Sequence, residues 1–162
     1  MDLRPAKLED AEAICEIYNY EVLTSTSTFD LEPRSVAVQR AWLAERSGAH
    51  IVLVAEIDGA VVGFGSLSQY KPRAAYNTTV EDSVYVASDS QGQGVGFAII
   101  AALVDRATGH GFHTVIARIG HESKASIATH AKAGFVEVGR EVEVGRKLGR
   151  WVDVIIMQRM LG

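Results

Sequence analysis

The segment Gln91-Gly92-Gln93-Gly94-Val95-Gly96 sets three glycines within five residues and runs straight into an apolar stretch that begins at Phe97. Val84, Tyr85 and Val86, just upstream, read as a strand, so the glycines fall at a strand-to-helix turn. Such a turn exposes backbone N–H groups at the positive end of a helix dipole, which suits a phosphate. Two nucleotide motifs fail here. A P-loop needs Gly-Lys followed by Ser or Thr, and neither is present. A dinucleotide fingerprint counted from Gly92 would put its third glycine at Phe97, and it belongs in the first turn of a βαβ unit. A turn whose glycines only shape the backbone stays open at this point.

The remaining reactive side chains form no metal set. His121-Glu122 lacks the second histidine of a zinc H-E-x-x-H helix. His110 and His113 flank a glycine turn without cysteine or carboxylate companions, so no metal is expected. Cys15 is the one cysteine and sits in a helical pattern with Ala11, Ile14, Ile17 and Tyr18, as a buried thiol would. It allows no internal disulfide, which fits a reducing, cytoplasmic setting.

The elements that must hold these residues follow from periodicity. Strands are expected at 2–6, 50–57, 61–69, 81–87 and 114–119, with Asp58-Gly59 as a hairpin turn. Helices are expected at 8–22, from Pro33 to 48, at 97–108 and at 126–133, the last closed by Gly134. Residues 24–29 are too polar and β-branched to continue the first helix. Residues 135–161 read as two strands joined by a basic loop at 145–150. An antiparallel first half and a strand–helix–strand second half give an α+β protein with a mixed sheet.

Length and composition agree. With 162 residues, 48% hydrophobic and 22% charged, the chain suits one ordinary globular domain. A net charge of −4 argues against nonspecific nucleic-acid binding. No apolar run approaches a membrane span and no leader opens the chain, so neither nucleic acid nor membrane is an expected partner.

Gln91-x-x-Gly94-x-Gly96 after a strand resembles the Gln/Arg-x-x-Gly-x-Gly/Ala pyrophosphate motif of the GNAT N-acetyltransferases. Further segments recur in order: Ile17-Tyr-Asn19, Thr24-Ser-Thr26, Phe29, Ala75-Tyr-Asn77, residues 79–86, Ile119-Gly120, His130, Gly134-Phe135 and residues 149–154. Together they resemble the phosphinothricin and methionine sulfone/sulfoximine N-acetyltransferase family over nearly the whole chain. The resemblance implies a GNAT fold of six or seven strands and about four helices, and acetyl transfer from acetyl-CoA to the α-amine of a small amino acid or analogue. It implies that backbone at Val84, Tyr85 and Val86 receives the pantetheine arm, with the strands beginning at Glu81 and Thr114 split apart to admit it. Gln91, Gly92, Gln93, Gly94, Val95 and Gly96 would hold the pyrophosphate.

The same resemblance makes Glu81 the base that deprotonates the acceptor ammonium, with Asp82 pointing to the opposite face of the strand. His130 matches a family histidine near the donor site, where active-site and packing roles are both open. Lys71 and Arg73 would bind the acceptor's carboxylate or tetrahedral oxygens. Phe29 and Tyr76 would wall its pocket, with the hydroxyls of 24–28 at the mouth. Ser123 stands where many relatives carry an Asn that contacts the pantetheine, and Phe135 where some carry Tyr. Tyr85 faces the core, which leaves the general acid unassigned. Family members are commonly homodimers, and the last strands with Arg146, Lys147 and Arg150 are the expected interface, a solvated hairpin tip or a phosphate contact. Two other functions stay in view: a GNAT enzyme for another amine, such as a polyamine or protein N-terminus, and a noncatalytic acyl-CoA-binding domain.

Overall fold

A computed structural model describes all residues from Met1 to Gly162. In chain order the elements are β1 (Asp2–Pro5), α1 (Ala11–Thr24), α2 (Val36–Ala44), β2 (Val52–Ile57), β3 (Ala60–Gln69), β4 (Thr79–Val86), α3 (Val95–Gly109), β5 (Thr114–Gly120), α4 (Lys124–Lys132), β6 (Val136–Lys147) and β7 (Arg150–Met160). The strands form one sheet in the order β1-β2-β3-β4-β5-β7-β6. All neighbours are antiparallel except β4 and β5. This is the mixed sheet expected from the sequence pattern.

Alternation along the strands gives each face its own core. Leu67, Val80, Ile99, Leu103 and Val115 are buried on the α3 face. Ile14, Tyr18, Val54 and Phe64 are buried on the α1 face. Burying each such side chain contributes about 1.5–3 kcal/mol. Helix α3 lies so close to β3 that a Cβ added at Gly65 would come within 2.5 Å of Ile99 Cγ2. Glycine is therefore required there for close approach rather than for a turn.

The feature that positions the site is the β4–β5 pairing. It runs only from Thr79↔Thr114 to Asp82↔Ala117. Beyond it, β4 stays with β3 up to Val86↔Gly63, while β5 stays with β7 up to Gly120↔Val154. The two strands part, leaving Ser83–Val86 with neighbours on one side only.

Three expectations are corrected. Helix α2 starts at Val36, not Pro33, because Ser35 caps it by accepting a 3.1 Å bond from the Val38 N–H. It also ends at Ala44, short of residue 48. The basic loop at 145–150 is instead continuous hairpin: Lys147 pairs with Arg150 across a turn of Leu148 and Gly149. Both turn residues have positive φ (51° and 75°), the pattern of a two-residue type I′ connection. Lys147 is no solvated tip. It is 5% exposed, and its ammonium donates to the Thr28 carbonyl at 2.8 Å and the Glu21 carbonyl at 3.4 Å. Arg146 lies over the Trp151 ring, and Arg150 donates to Glu122.

Candidate active site

Where β4 and β5 part, a cleft of about 400 Å³ opens. Its walls are Ser83, Val84, Tyr85 and Val86 of β4, the turn from Ser90 to Gly96, Arg118 and Ile119 of β5, and Ser123, Ser126, Thr129 and His130 around α4. Ser83–Val86 present to this gap the backbone edge that β5 has left. The motif residues Gln91, Gly92, Gly94, Val95 and Gly96 all line it.

The turn is shaped by conformation. Gly92 and Gly94 adopt φ of 75° and 83°, and a Cβ at either would meet nothing within 4 Å. The backbone is thus left-handed and uncovered at the start of the 15-residue α3. N–H groups of its first turn have no intrahelical acceptor, so they and the helix dipole attract an anion. Gln91 braces this turn by donating to the Val86 carbonyl at 3.2 Å. Gln93 lies outside the lining and bonds the Asp89 carbonyl at 3.3 Å.

Consecutive residues of β4 serve opposite faces. Glu81 lies on the α1 face with Tyr85, and is half-buried with no hydrogen-bond partner. Burial pushes its carboxyl above the usual range; the Arg118 charge pulls it down, and Asp82 pushes it up. Ile116 is Glu81's register partner, so Arg118, two residues on, shares that face. Arg118 also lines the cleft and pairs with Glu141 of β6. Sequence reading missed it; the signal was a lone charge in the apolar strand Thr-Val-Ile-Ala-Arg-Ile-Gly.

Asp82 turns to the α3–α4 face, where its Oδ2 lies 3.0 Å from His130 Nε2. His130 Nδ1 lies 2.8 Å from the Ser126 carbonyl, and its ring stands edge-on to Phe135 at 5.0 Å. Burial pulls the His130 imidazole down, but the bond and charge of Asp82, aided by the Ser126 carbonyl, outweigh it and leave it raised. Tyr85 does face the core, stacked on Phe64 and edge-on to Tyr18. Burial pushes its phenol far up, so it stays neutral.

The expected acceptor residues sit elsewhere. Lys71, Arg73 and Tyr76 are exposed on the β3–β4 connection and do not line the cleft. The Lys71 ammonium lies 5.1 Å and 5.3 Å from the Tyr70 and Tyr76 ring centres, while Arg73 makes no ion pair. Phe29 lies over Gly145 of β6, where an added Cβ would meet its ring at 2.4 Å. Ser123 Oγ is 3.2 Å from Ser27 Oγ, and both residues line the cleft with Glu21. The segment after α1 thereby reaches the cleft, while Lys147 holds it from below.

A seven-stranded mixed sheet, split at its parallel pair beside a turn of uncovered backbone, suits a ligand with an extended arm and an anionic end. Residues 14–135 match the Acetyltransferase (GNAT) family. The chain is 40% identical over 161 residues to phosphinothricin N-acetyltransferase of Alcaligenes faecalis, covering 98% of this chain and 82% of that one. It is 35% identical to the L-methionine sulfoximine/L-methionine sulfone acetyltransferase of Pseudomonas paraeruginosa, covering 96% and 92%. A crystal structure of a GNAT superfamily phosphinothricin acetyltransferase from Sinorhizobium meliloti, in complex with acetyl-CoA, superposes with a TM-score of 0.96 at 38% identity, covering 99% and 88%. The chain belongs to the GNAT acetyltransferase family and is an N-acetyltransferase.

Acetyl-CoA is bound in the Sinorhizobium meliloti structure, and the residues of this cleft fit it. The free β4 edge matches an extended amide-bearing arm, and the uncovered Gly92 and Gly94 backbone matches a pyrophosphate.

Proposed function

We propose that the chain acetylates the α-amine of a small amino-acid-like acceptor, with phosphinothricin, methionine sulfone and methionine sulfoximine as its class, and that Glu81 is the base. The observation that carries this reading is Glu81: a half-buried carboxylate without a hydrogen-bond partner, on the strand that borders the donor cleft. Such a group is free to accept a proton, and its raised affinity brings it nearer the pH at which a base works best. The acceptor arrives as an ammonium ion and cannot attack until Glu81 takes a proton, directly or through water. Lys71 and Arg73, exposed on the β3–β4 connection outside the donor cleft, are proposed to meet its carboxylate from that side, and such a pair of cations would repel a polyamine. Val84, Tyr85 and Val86 hold the donor's amides, Gly92–Gly96 its pyrophosphate, and Ser123 bonds the arm.

The enzyme works as a cytoplasmic homodimer in this reading. Strand β6 ends the sheet with Val136, Val138, Val142 and Val144 exposed, an apolar edge that suits a second copy.

The test is acceptor-dependent release of free thiol by the purified chain with acetyl-CoA. Methionine sulfone or phosphinothricin should release it fastest within a panel that includes polyamines and a peptide N-terminus. Faster turnover of a polyamine or peptide would overturn the acceptor class, and silence across the panel would favour an acyl-CoA-binding role.

A further inference from the structure

The contacts of His130 fix a proton count. Its Nδ1 lies 2.8 Å from the Ser126 carbonyl oxygen, which can only accept, and 3.4 Å from the Ser126 hydroxyl, which can do either; the shorter contact is satisfied only when Nδ1 carries hydrogen. In a neutral imidazole Nε2 is then a bare lone pair. Yet Nε2 lies 3.0 Å from Asp82 Oδ2, and an ionised carboxylate also offers only lone pairs. Two acceptors do not hold that distance in a buried site, where water cannot screen them. The side chains are 4% and 2% exposed. A proton must therefore lie between them, held by the pair rather than assigned to either partner. The other carboxyl oxygen, Asp82 Oδ1, is buried without any hydrogen-bond partner, in a residue that lines the cleft.

We propose that Asp82 and His130 store one proton at their contact and that this pair protonates the departing CoA sulfur, Asp82 acting as the positioning residue that keeps the proton there. The inference rests on the acetyltransferase activity but not on the acceptor's identity. When the tetrahedral adduct collapses, the C–S bond breaks and its electron pair passes to sulfur. Sulfur takes the stored proton and leaves as thiol, and the pair is left as neutral His130 and ionised Asp82. Glu81 meanwhile has gained the proton lost by the acceptor ammonium. The adduct nitrogen loses its second proton as the C–S bond breaks, and that proton, through solvent, refills the pair. Glu81 releases the first to solvent, so one proton is freed per turnover.

The surroundings favour this count. Phe135 stands against the His130 ring, and the cleft residues contributed by α3 and by the same face of β5 include Phe97, Ile100, Ala117 and Ile119, all apolar. Lys132 of the same helix keeps its ammonium 4.6 Å from the Phe97 ring centre, and Arg159 of β7 donates to the Ala133 carbonyl. Glu81 and Arg118 lie across the sheet. Asp82 is thus the one anion in contact with the ring, and it supplies the bond and charge that raise the imidazole's affinity.

Asp82→Asn tests this with shape retained, because the amide can donate to a bare Nε2 but cannot hold the extra proton. Nitrogen NMR of the free wild-type protein should find both His130 ring nitrogens still protonated or sharing a proton above the pH at which an ordinary imidazole loses its proton. In the variant one should be bare. With acetyl-CoA, kcat should fall about a hundred-fold, while acetyl-CoA affinity changes by less than about three-fold. With an acetyl thioester of an acidic nitrothiophenol, which needs no acid to leave, variant and wild type should agree within about three-fold. An unprotonated Nε2 in the wild type would overturn the store. A kcat unchanged by the substitution, or an equal loss with both thioesters, would overturn the donor role. If the Asn variant does not fold, His130→Gln carries the same kinetic comparison. A wild type silent with every acceptor would sink the acetyl-transfer reading and the donor role together, and the NMR readout would still decide the store.

Discussion

Glu81 and Asp82 are consecutive carboxylates on one strand, yet the sheet gives them opposite circumstances. Glu81 faces the α1 side with no hydrogen bond, one nearby cation across β5 and enough burial to raise its affinity for a proton. Asp82 faces the α3–α4 side, fully enclosed and bonded to His130. A period of two residues is sufficient to build both. What separates their chemistry is the partner that the fold brings to each face: open approach on one, a buried imidazole on the other. A carboxylate left unpaired can take a proton from an incoming ammonium, and one locked to a histidine can retain a proton for a leaving group.

The comparison can be broken at either residue. Glu81→Gln should lower kcat by about 10²–10⁴-fold near neutral pH with little change in acetyl-CoA affinity, measured by thiol release and by titration calorimetry. Full activity would remove Glu81 as base. Asp82→Asn should come next in size, and only with a poor leaving group. Arg73→Ala should raise the acceptor KM about ten-fold through loss of a charge-assisted contact, and an unchanged KM would end its role as carboxylate clamp.

The smallest effect should come from Arg118→Ala, and it has a definite sign. With Glu81 as the proposed base, activity requires its ionised form and should be lost as pH falls through its raised value. Arg118 pulls that value down, so removing it should move the acid limb of the pH–rate profile to higher pH. The shift should be well under one unit, because Arg118 is about a third exposed and water screens it. A limb moving to lower pH would contradict the assignment of that limb to Glu81.

Much of the lining of the cleft was readable in the chain. Gln91, Gly94 and Gly96 carry their message in spacing, and the Val84–Val86 strand sits immediately upstream. Helix and strand positions followed from local periodicity because each buries one face. The Asp82–His130 contact joins residues 48 apart, and no local pattern announces it. Lys147 misled for a related reason. A lysine among arginines near glycines looks solvated, but the type I′ turn is so short that Lys147 stays in the strand and points at the Thr28 carbonyl. The Pro33 start failed because a Ser cap two residues later outweighs a proline's fixed φ.

The parting of β4 and β5 also has a thermodynamic side. A sheet ordinarily spends its backbone groups on its own strands, but here Ser83–Val86 leave one edge unspent within the body of the molecule. If acetyl-CoA completes that edge, as proposed, it does so only in the folded state. Folding and donor supply are therefore linked, with about 2.7 kcal/mol of added stability when the donor stands at a hundred times its Kd. The melting temperature should climb with acetyl-CoA concentration, and amide exchange along 83–86 should slow; a melt indifferent to the donor would refute the linkage. A cell short of acetyl-CoA would then hold a less durable enzyme, so that the lifetime of the catalyst itself follows the metabolic state it draws upon.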